Sequence, residues 1–449
     1  MASSRVVVVG GGFAGFHAAR ELCRRLSMDE VEIVVVNPTD YFLYLPLLPE
    51  VAVGILDPRR VCVSLPAALP GVRLALGEVC SFSLREREIR YTDAEGRDRV
   101  LGYDRLVLAA GSVNKLLPIP GVAEHAHGFR GVPEALYLRD HVVRQIELAA
   151  AAEDPAERVA RCTFVVVGAG YTGTEVAAQG PAFAAELAAR HRELDGQRIR
   201  WLLLEVADRV LPSLDERLSR TADTVLRRRG VEVRTGASVH EAGQHEVTLD
   251  TGERIGTHTV VWCVGVRPDP LIEEMGVPTR QGRVTVDGRL QVPGQPEVFA
   301  CGDAAAVPDR TRGGRPTAMT AQHAQRQGTL AGVNVAASLG HGIAREYRHH
   351  DLGFVVDLGT GEAAANPLHI PLSGALAKLI TRAYHLLALP GNRLYVAIDW
   401  LLHAMLRTRN QRHNVELGLI RGPAVPLDSA SPELPKHSSG KESTSLIQQ

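Results

Sequence analysis

The chain opens on an apolar run at residues 6–9 and turns at Gly10-Gly11-Gly12-Phe13-Ala14-Gly15. Apolar positions then recur at helical spacing to about residue 26, and a second apolar run follows at 31–36. Strand, turn, helix and strand in that order predict a βαβ unit. The same order returns at 164–167, 168–173, a helical stretch to about residue 190, and 199–205. The module occurs twice. Shorter alternating runs, 105–109 before Ala110-Gly111 and 259–264 before Gly265, read as strands crossing between domains, with one domain inserted in the other. Beyond residue 351 the pattern changes to two helix-length segments, 376–389 and 394–406, separated by the breaker Pro390-Gly391-Asn392. They predict a helical hairpin. From Gly422 onward large apolar side chains are scarce, so this stretch cannot bury enough surface to offset chain entropy, and 422–449 is expected to be a disordered tail.

Composition narrows the picture. With 449 residues, 45% of them hydrophobic, and a net charge of -1, the chain reads as a globular protein of two or three domains. So even a balance gives no global attraction to nucleic acid. Cys23, Cys62, Cys80, Cys162, Cys263 and Cys301 are scattered without a CxxC pair, which fits a reducing compartment and no metal site. The first strand-like run begins at Arg5, leaving no room for a secretory signal. No run reaches the roughly 18 consecutive apolar residues of a spanning helix, so any membrane contact is expected to be peripheral.

The two turns carry the chemistry. In the GxGxxG pattern of Gly10, Gly12 and Gly15, the first glycine permits the tight turn and the second lets backbone approach a pyrophosphate. The third lets helix and strand pack closely, and the helix points its positive end at the phosphates. The acid expected at the end of the next strand is replaced by Asn37, whose amide can still hydrogen-bond an adenosine hydroxyl. Gly168, Gly170 and Gly173 repeat the pattern around Tyr171 and Thr172, and here Glu205 ends the next strand, placed to accept from both ribose hydroxyls. A carboxylate there repels a 2'-phosphate and favours NADH over NADPH, an expectation tempered by nearby Arg209.

Two such turns, joined by 109–111 and 299–303, resemble the two-dinucleotide-binding-domain flavoproteins over roughly residues 5–345. The resemblance implies FAD at the first turn and NADH at the second. It also implies further cofactor contacts at Ala110, Gly111, Gly265 and Gly302, with Asp303 reaching the ribityl and phosphate part of FAD. Disulfide reductases of this group need a CxxxxC pair, and 41–54 contains no cysteine; sulfide:quinone reductases need a late cysteine, and the last here is Cys301. The stretches 41–54, 170–175, 262–267 and 321–328 resemble type II NADH:quinone oxidoreductases. That resemblance implies Glu175 at the nicotinamide–flavin contact and Gln322 as the first glutamine of a quinone-site AQxxxQ. The second glutamine falls on Arg326, with Gln327 one residue later, a departure that adds positive charge beside a carbonyl acceptor. It also implies a charged residue near the acceptor early in the first late helix, here Lys378.

The fold expected is therefore α/β, with two Rossmann-like domains, the second inserted in the first, and a C-terminal membrane-associating helical hairpin. The boundaries read as 1–120 with 268–345 for FAD, 121–267 for NADH, and 346–421 for the membrane region. In the hairpin Leu376, Leu379, Ile380, Ala383, Leu386 and Leu387 oppose a polar stripe of Lys378, Arg382 and His385. Ile398, Trp400, Leu401, Leu402 and Met405 likewise oppose Asp399, His403 and Arg407. The apolar faces, flanked by Arg393, Arg407, Arg409 and Arg412, suit a peripheral protein meeting anionic headgroups. The resemblance sets it on the cytoplasmic face of the cell membrane, with a quinone as acceptor, and admits a homodimer. Two other readings stand beside it: a soluble NAD(P)H reductase of a ferredoxin-like carrier, and a redox-sensing scaffold that binds FAD and NADH.

Overall fold

The computed structural model describes residues 4–349 and 352–406. Arg407, Arg409, Arg412 and the 422–449 stretch lie outside the described residues.

The valine-rich run becomes the strand Ser4–Val9, whose last four residues are buried. Strands without a polar face belong in the middle of a sheet covered on both sides. Accordingly Ser4–Val9 lies between Val31–Asn37 and Arg105–Leu108, parallel to both. The full order is Gln291–Val292, Gln295–Ala300, Arg105–Leu108, Ser4–Val9, Val31–Asn37, Arg73–Ser83, Glu88–Asp93, Asp98–Gly102, an eight-stranded sheet. The helix Phe13–Arg25 packs on this sheet and, on its other flank, against Ala321–Ser338. That helix pair approaches closely because Gly328 and Gly332 face Ala14 and Ala18. A Cβ on Gly328 would sit 2.0 Å from the Ala14 carbonyl oxygen, and one on Gly332 would sit 2.8 Å from that of Ala18.

The second module builds a separate sheet of five parallel strands, ordered His127–Gly128, Thr259–Trp262, Thr163–Val167, Arg200–Glu205, Val231–Thr235. The runs at 105–109 and 259–264 are therefore interior strands of the two sheets rather than crossings. The crossing is made just after each, where Ser112–Asn114 pairs antiparallel with Val266–Pro268.

After the last helix of the first module, Val355–Asp357, Ala363–Ala365 and Leu372–Ser373 form a small antiparallel sheet. It leads into the hairpin Gly374–Ala388 and Arg393–Leu406. The turn is fastened to the first module: the Asn392 amide donates to the carbonyls of Arg59, Arg60 and Cys62 at 3.1, 3.3 and 2.7 Å. Two turns of helix further on, Arg60 pairs with Asp399 at 3.0 Å.

The hairpin is amphipathic in the sense opposite to that of an ordinary surface helix. Its polar stripe faces inward, with Lys378 8% and His385 6% exposed, while Leu379, Leu387 and Met405 stand 66%, 75% and 65% exposed. Trp400 departs from its expected place on the apolar face: it is buried, because its indole N–H has an internal partner. Among the described residues no helix is long and apolar enough to cross a membrane.

Candidate active site

The two glycine turns are built alike. Gly10 and Gly168 have φ of +97° and +98°, and a Cβ on either would strike the carbonyl oxygen of Ala109 or Cys263, at 2.4 and 2.5 Å. A Cβ on Gly15 or Gly173 would strike the carbonyl oxygen of Gly10 or Gly168, at 1.8 and 1.9 Å. The middle glycines differ. A Cβ on Gly12 or Gly170 would meet nothing of the protein within 4 Å. Packing does not demand glycine there, and the absence of a side chain leaves room for a ligand to approach the backbone. Both residues cap a helix without any side-chain acceptor, so the first-turn N–H groups and the positive end of the helix dipole are open to an anion. Each turn thus fits the pyrophosphate of a dinucleotide. Phe13 and Tyr171 begin these helices, Phe13 edge-on to Phe42 at 5.0 Å and Tyr171 beside Phe354. Ala14 is buried under Gly302, and Thr172 is half-buried.

Asn37 and Glu205 hold equivalent places. Asn37 Oδ1 accepts the Gly11 N–H at 2.7 Å, and Glu205 Oε2 accepts that of Ala169 at 2.6 Å. Each side chain therefore fixes its own turn. Asn37 Nδ2 is taken up by Thr39, on its carbonyl and hydroxyl oxygens at 2.8 and 3.0 Å. Glu205 Oε1 accepts Ala207 N–H at 2.9 Å, yet each of its oxygens keeps a lone pair for a ribose hydroxyl.

Asp303 lies within a single short turn, Gly302–Ala304, rather than at the head of a long helix. Its carboxylate accepts the Ser112 hydroxyl at 2.6 Å, and Arg130 donates to that same hydroxyl oxygen at 3.0 Å. Gly302 and Gly111 have φ of +70° and +80°. The Gly302 N–H donates to Gln327 Oε1 at 2.8 Å, while Gln327 Nε2 donates to Thr317 Oγ1 at 2.9 Å. Gln327, one residue past the expected glutamine, is thus a buried brace of the Gly302–Asp303 turn. Ala110 is half-buried; Gly265, exposed with φ +92°, accepts the Lys115 N–H at 3.0 Å.

Gln322 and Arg326 sit one helical turn apart. Arg326 Nη1 donates to Gln322 Oε1 at 3.4 Å and to His349 Nδ1 at 3.1 Å, and Gln322 Nε2 donates to the Gly353 carbonyl at 3.2 Å. The amide of Gln322 is held at both ends.

Glu175 and Lys378 are brought into one buried cluster by a residue the sequence does not single out. Asp357 accepts Lys378 Nζ on Oδ2, and its own backbone N–H donates to Glu175 Oε1 at 2.9 Å. Glu50 completes the group and accepts the Trp400 indole N–H. Burial pushes the Glu50 carboxyl up to about 7, with the Asp357 charge adding to it, and burial raises Glu175 well above the carboxylate range. His385 donates to or accepts from the Tyr44 hydroxyl at 3.1 Å, and burial lowers it to about 4, so its ring is neutral. Tyr44, Glu50, Asp357, His385 and Trp400 are the residues that sequence reasoning missed as site members. Glu50 and Tyr44 lie in the 41–54 stretch, and an acid inside so apolar a run was the available signal. Asp357 gave none. Burial also holds the thiols of Cys263 and Cys301 up at about 12, so neither is a ready thiolate.

A chain that folds two such turns at the ends of parallel strands in two separate sheets, and joins them by one pair of crossing strands, defines a dinucleotide-dependent flavoprotein. The family described as pyridine nucleotide-disulphide oxidoreductase matches residues 4–328. The type II NADH:quinone oxidoreductase Ndh of Mycobacterium tuberculosis is 30% identical over 91% of the chain and 89% of its own length. The demethylphylloquinone reductase NdbB of Synechocystis is 30% identical over 89% of the chain and 96% of its own. The structure of NDH2 from Plasmodium falciparum in complex with NADH superposes with a TM-score of 0.82 over 90% of the chain and 98% of its own, at 16% identity. The chain belongs to the pyridine nucleotide-disulphide oxidoreductases and, within them, to the type II NADH:quinone oxidoreductases.

Proposed function

We propose that the protein oxidises NADH and delivers two electrons, by way of bound FAD, to a membrane quinone without pumping protons. The observation that carries this is the pair of open helix N-termini at Gly12 and Gly170, each framed by two glycines that tolerate no side chain. Gly10, Gly12 and Gly15, with Gly302 and Asp303, hold FAD; Gly168, Gly170, Gly173 and Glu205 hold NADH. Bound there, FAD would supply the two-electron redox chemistry between nicotinamide and quinone. The protein's own work is placement. Glu205 binds the ribose and discriminates against a 2'-phosphate. Gln322, clamped by Arg326 and Gly353, presents a fixed amide, and the guanidinium of Arg326 favours charge developing on a carbonyl oxygen. Glu175 and Lys378 border the same site from the NADH-binding helix and the hairpin.

The outward apolar face of the hairpin favours a lipid-soluble acceptor over a ferredoxin-like protein, which would call for a charged docking face with these helices packed inward. Leu376, Leu379, Leu387, Leu394, Leu401 and Met405 are all exposed, and each contributes about 1.5–3 kcal/mol when fully withdrawn from water. We place this face in the headgroup region of the cytoplasmic leaflet, with the protein attached peripherally. The test is a steady-state assay of the holoenzyme with NADH or NADPH against a short-chain quinone, alongside flotation with anionic vesicles. NADH-dependent quinone reduction and co-flotation are expected. Reduction of a ferredoxin-like protein but of no quinone, with the protein left at the bottom of the gradient, would replace this reading by its rival.

A further inference from the structure

Three buried carboxylates, Glu50, Asp357 and Glu175, share one ammonium, that of Lys378. Lys378 is committed to Asp357 by direct contact. Glu175 takes a backbone N–H from Asp357, and the Gly359 N–H goes to Asp357 Oδ1 at 2.7 Å. Glu50 has the weakest provision for a negative charge: its side chain accepts one neutral indole N–H, from Trp400. A carboxyl so placed keeps its proton in preference to sitting as a second anion beside Asp357. Other ionisable groups acting on Glu50 are Lys378 and Arg382 of the hairpin, Arg382 lying over the Trp400 ring at 4.9 Å. His385 is neutral, and Asp140, on the neighbouring helix Val132–Ala151, is paired with Arg139 at 2.9 Å. Trp400 belongs to the second hairpin helix, the one whose Leu394, Leu401 and Met405 point outward.

We propose that Glu50 is the proton-supplying residue of the acceptor half-reaction, and that Trp400 is the positioning residue that sets its readiness to give that proton up. The proposal rests on the NADH-to-quinone reading. The balance leaves one proton to be supplied: NADH gives a hydride, which is two electrons and one proton, whereas a quinone becomes a quinol by taking two electrons and two protons. In the proposal Glu50 gives this second proton and is left as a carboxylate that water reloads after the quinol departs. The Trp400 N–H stabilises the carboxylate form, so the contact ties the seating of the outward helix to the ease of proton release.

The test separates the half-reactions in the holoenzyme. Flavin bleaching by NADH consumes no proton from the protein; reoxidation by a water-soluble short-chain quinone does. Glu50→Gln is expected to slow reoxidation at least tenfold and remove its pH dependence near neutrality, with bleaching within twofold of the wild type. Trp400→Phe, which alters no charge, is expected to move the pH break of reoxidation upward, because the carboxylate loses a donor. A readout independent of turnover is tryptophan emission of the oxidised protein. The wild type is expected to show a titration step near neutral pH that disappears in both variants. Reoxidation of Glu50→Gln at the wild-type rate, or equal slowing of both half-reactions, overturns the proposal, as does an unmoved break in Trp400→Phe. Failure of NADH to bleach the wild-type flavin would instead sink the underlying functional reading.

Discussion

Replacing Lys378 by methionine removes the one ammonium from a pocket that holds three carboxylates, and the size of the effect follows from that count. Taking away one partner of a buried ion pair costs about 3–5 kcal/mol, because the other is left as an uncompensated charge. Methionine keeps the length and apolar stem of lysine, so little of this is lost packing. In the variant Glu50 and Glu175, which burial already holds above the usual carboxylate range, lose a cation that favours their charged forms and keep their protons more firmly. The sign is then fixed: the folded state binds more protons than the unfolded state, so stability falls as pH rises through the raised carboxyl values. Urea unfolding, followed by tryptophan emission and by release of flavin fluorescence, is expected to show a deficit of about 3–5 kcal/mol near pH 8 that shrinks to about 1 near pH 5. Adding Asp357→Asn to the variant removes the orphaned charge and is expected to restore most of the loss. A deficit equal at both pH values, or untouched by the second substitution, would refute the reasoning.

Gly15→Ala puts a methyl 1.8 Å from the Gly10 carbonyl oxygen and is expected to yield protein that misfolds or lacks flavin. Gly12→Ala meets no protein atom and is expected to fold, with circular dichroism unchanged and flavin affinity reduced at least tenfold. Glu205→Ala strips the acceptors of two backbone N–H groups at the second turn and the charge proposed to reject a 2'-phosphate. It is expected to raise the KM for NADH and to narrow the NADH to NADPH ratio of kcat/KM, both read in one steady-state assay. His385 is neutral when folded, its value lowered to about 4 from 6.5, whereas the unfolded chain takes up a proton at higher pH. Stability is therefore lost as pH falls from 6.5 towards 4, and His385→Gln is expected to flatten that part of a melting-temperature profile.

Much of the framework was legible because it rests on local rules. A run of valines between two glycine turns has few physical solutions, and the positions of Gly10, Gly15, Gly168 and Gly173 are dictated by contacts within a few residues of chain or with the adjoining strand. The hairpin boundaries were legible for the same reason, since Pro390-Gly391-Asn392 breaks a helix wherever it stands. The outward turn of the apolar face was expected too; what the polar stripe meets on the inside was not. Helical spacing shows that Lys378 and His385 share a stripe, but whether a polar stripe meets water or a buried Asp357 depends on a contact across 21 residues that leaves no periodic trace. Trp400 was assigned to the apolar face because its ring is apolar, while its indole N–H, which needs a partner when buried, drew it to Glu50 instead. The Gln327 brace was obscured in a similar way: its place one residue past the pattern gave it no role in the sequence, and only the Gly302 N–H shows what it holds.

The most direct check is anaerobic titration of the purified protein with NADH, followed by one equivalent of a short-chain quinone. One flavin per chain, fully bleached by one equivalent of NADH and restored by the quinone with release of quinol, is the expected result. A colourless chain that takes up no flavin, or a flavin that NADH leaves oxidised, would contradict the account at its root.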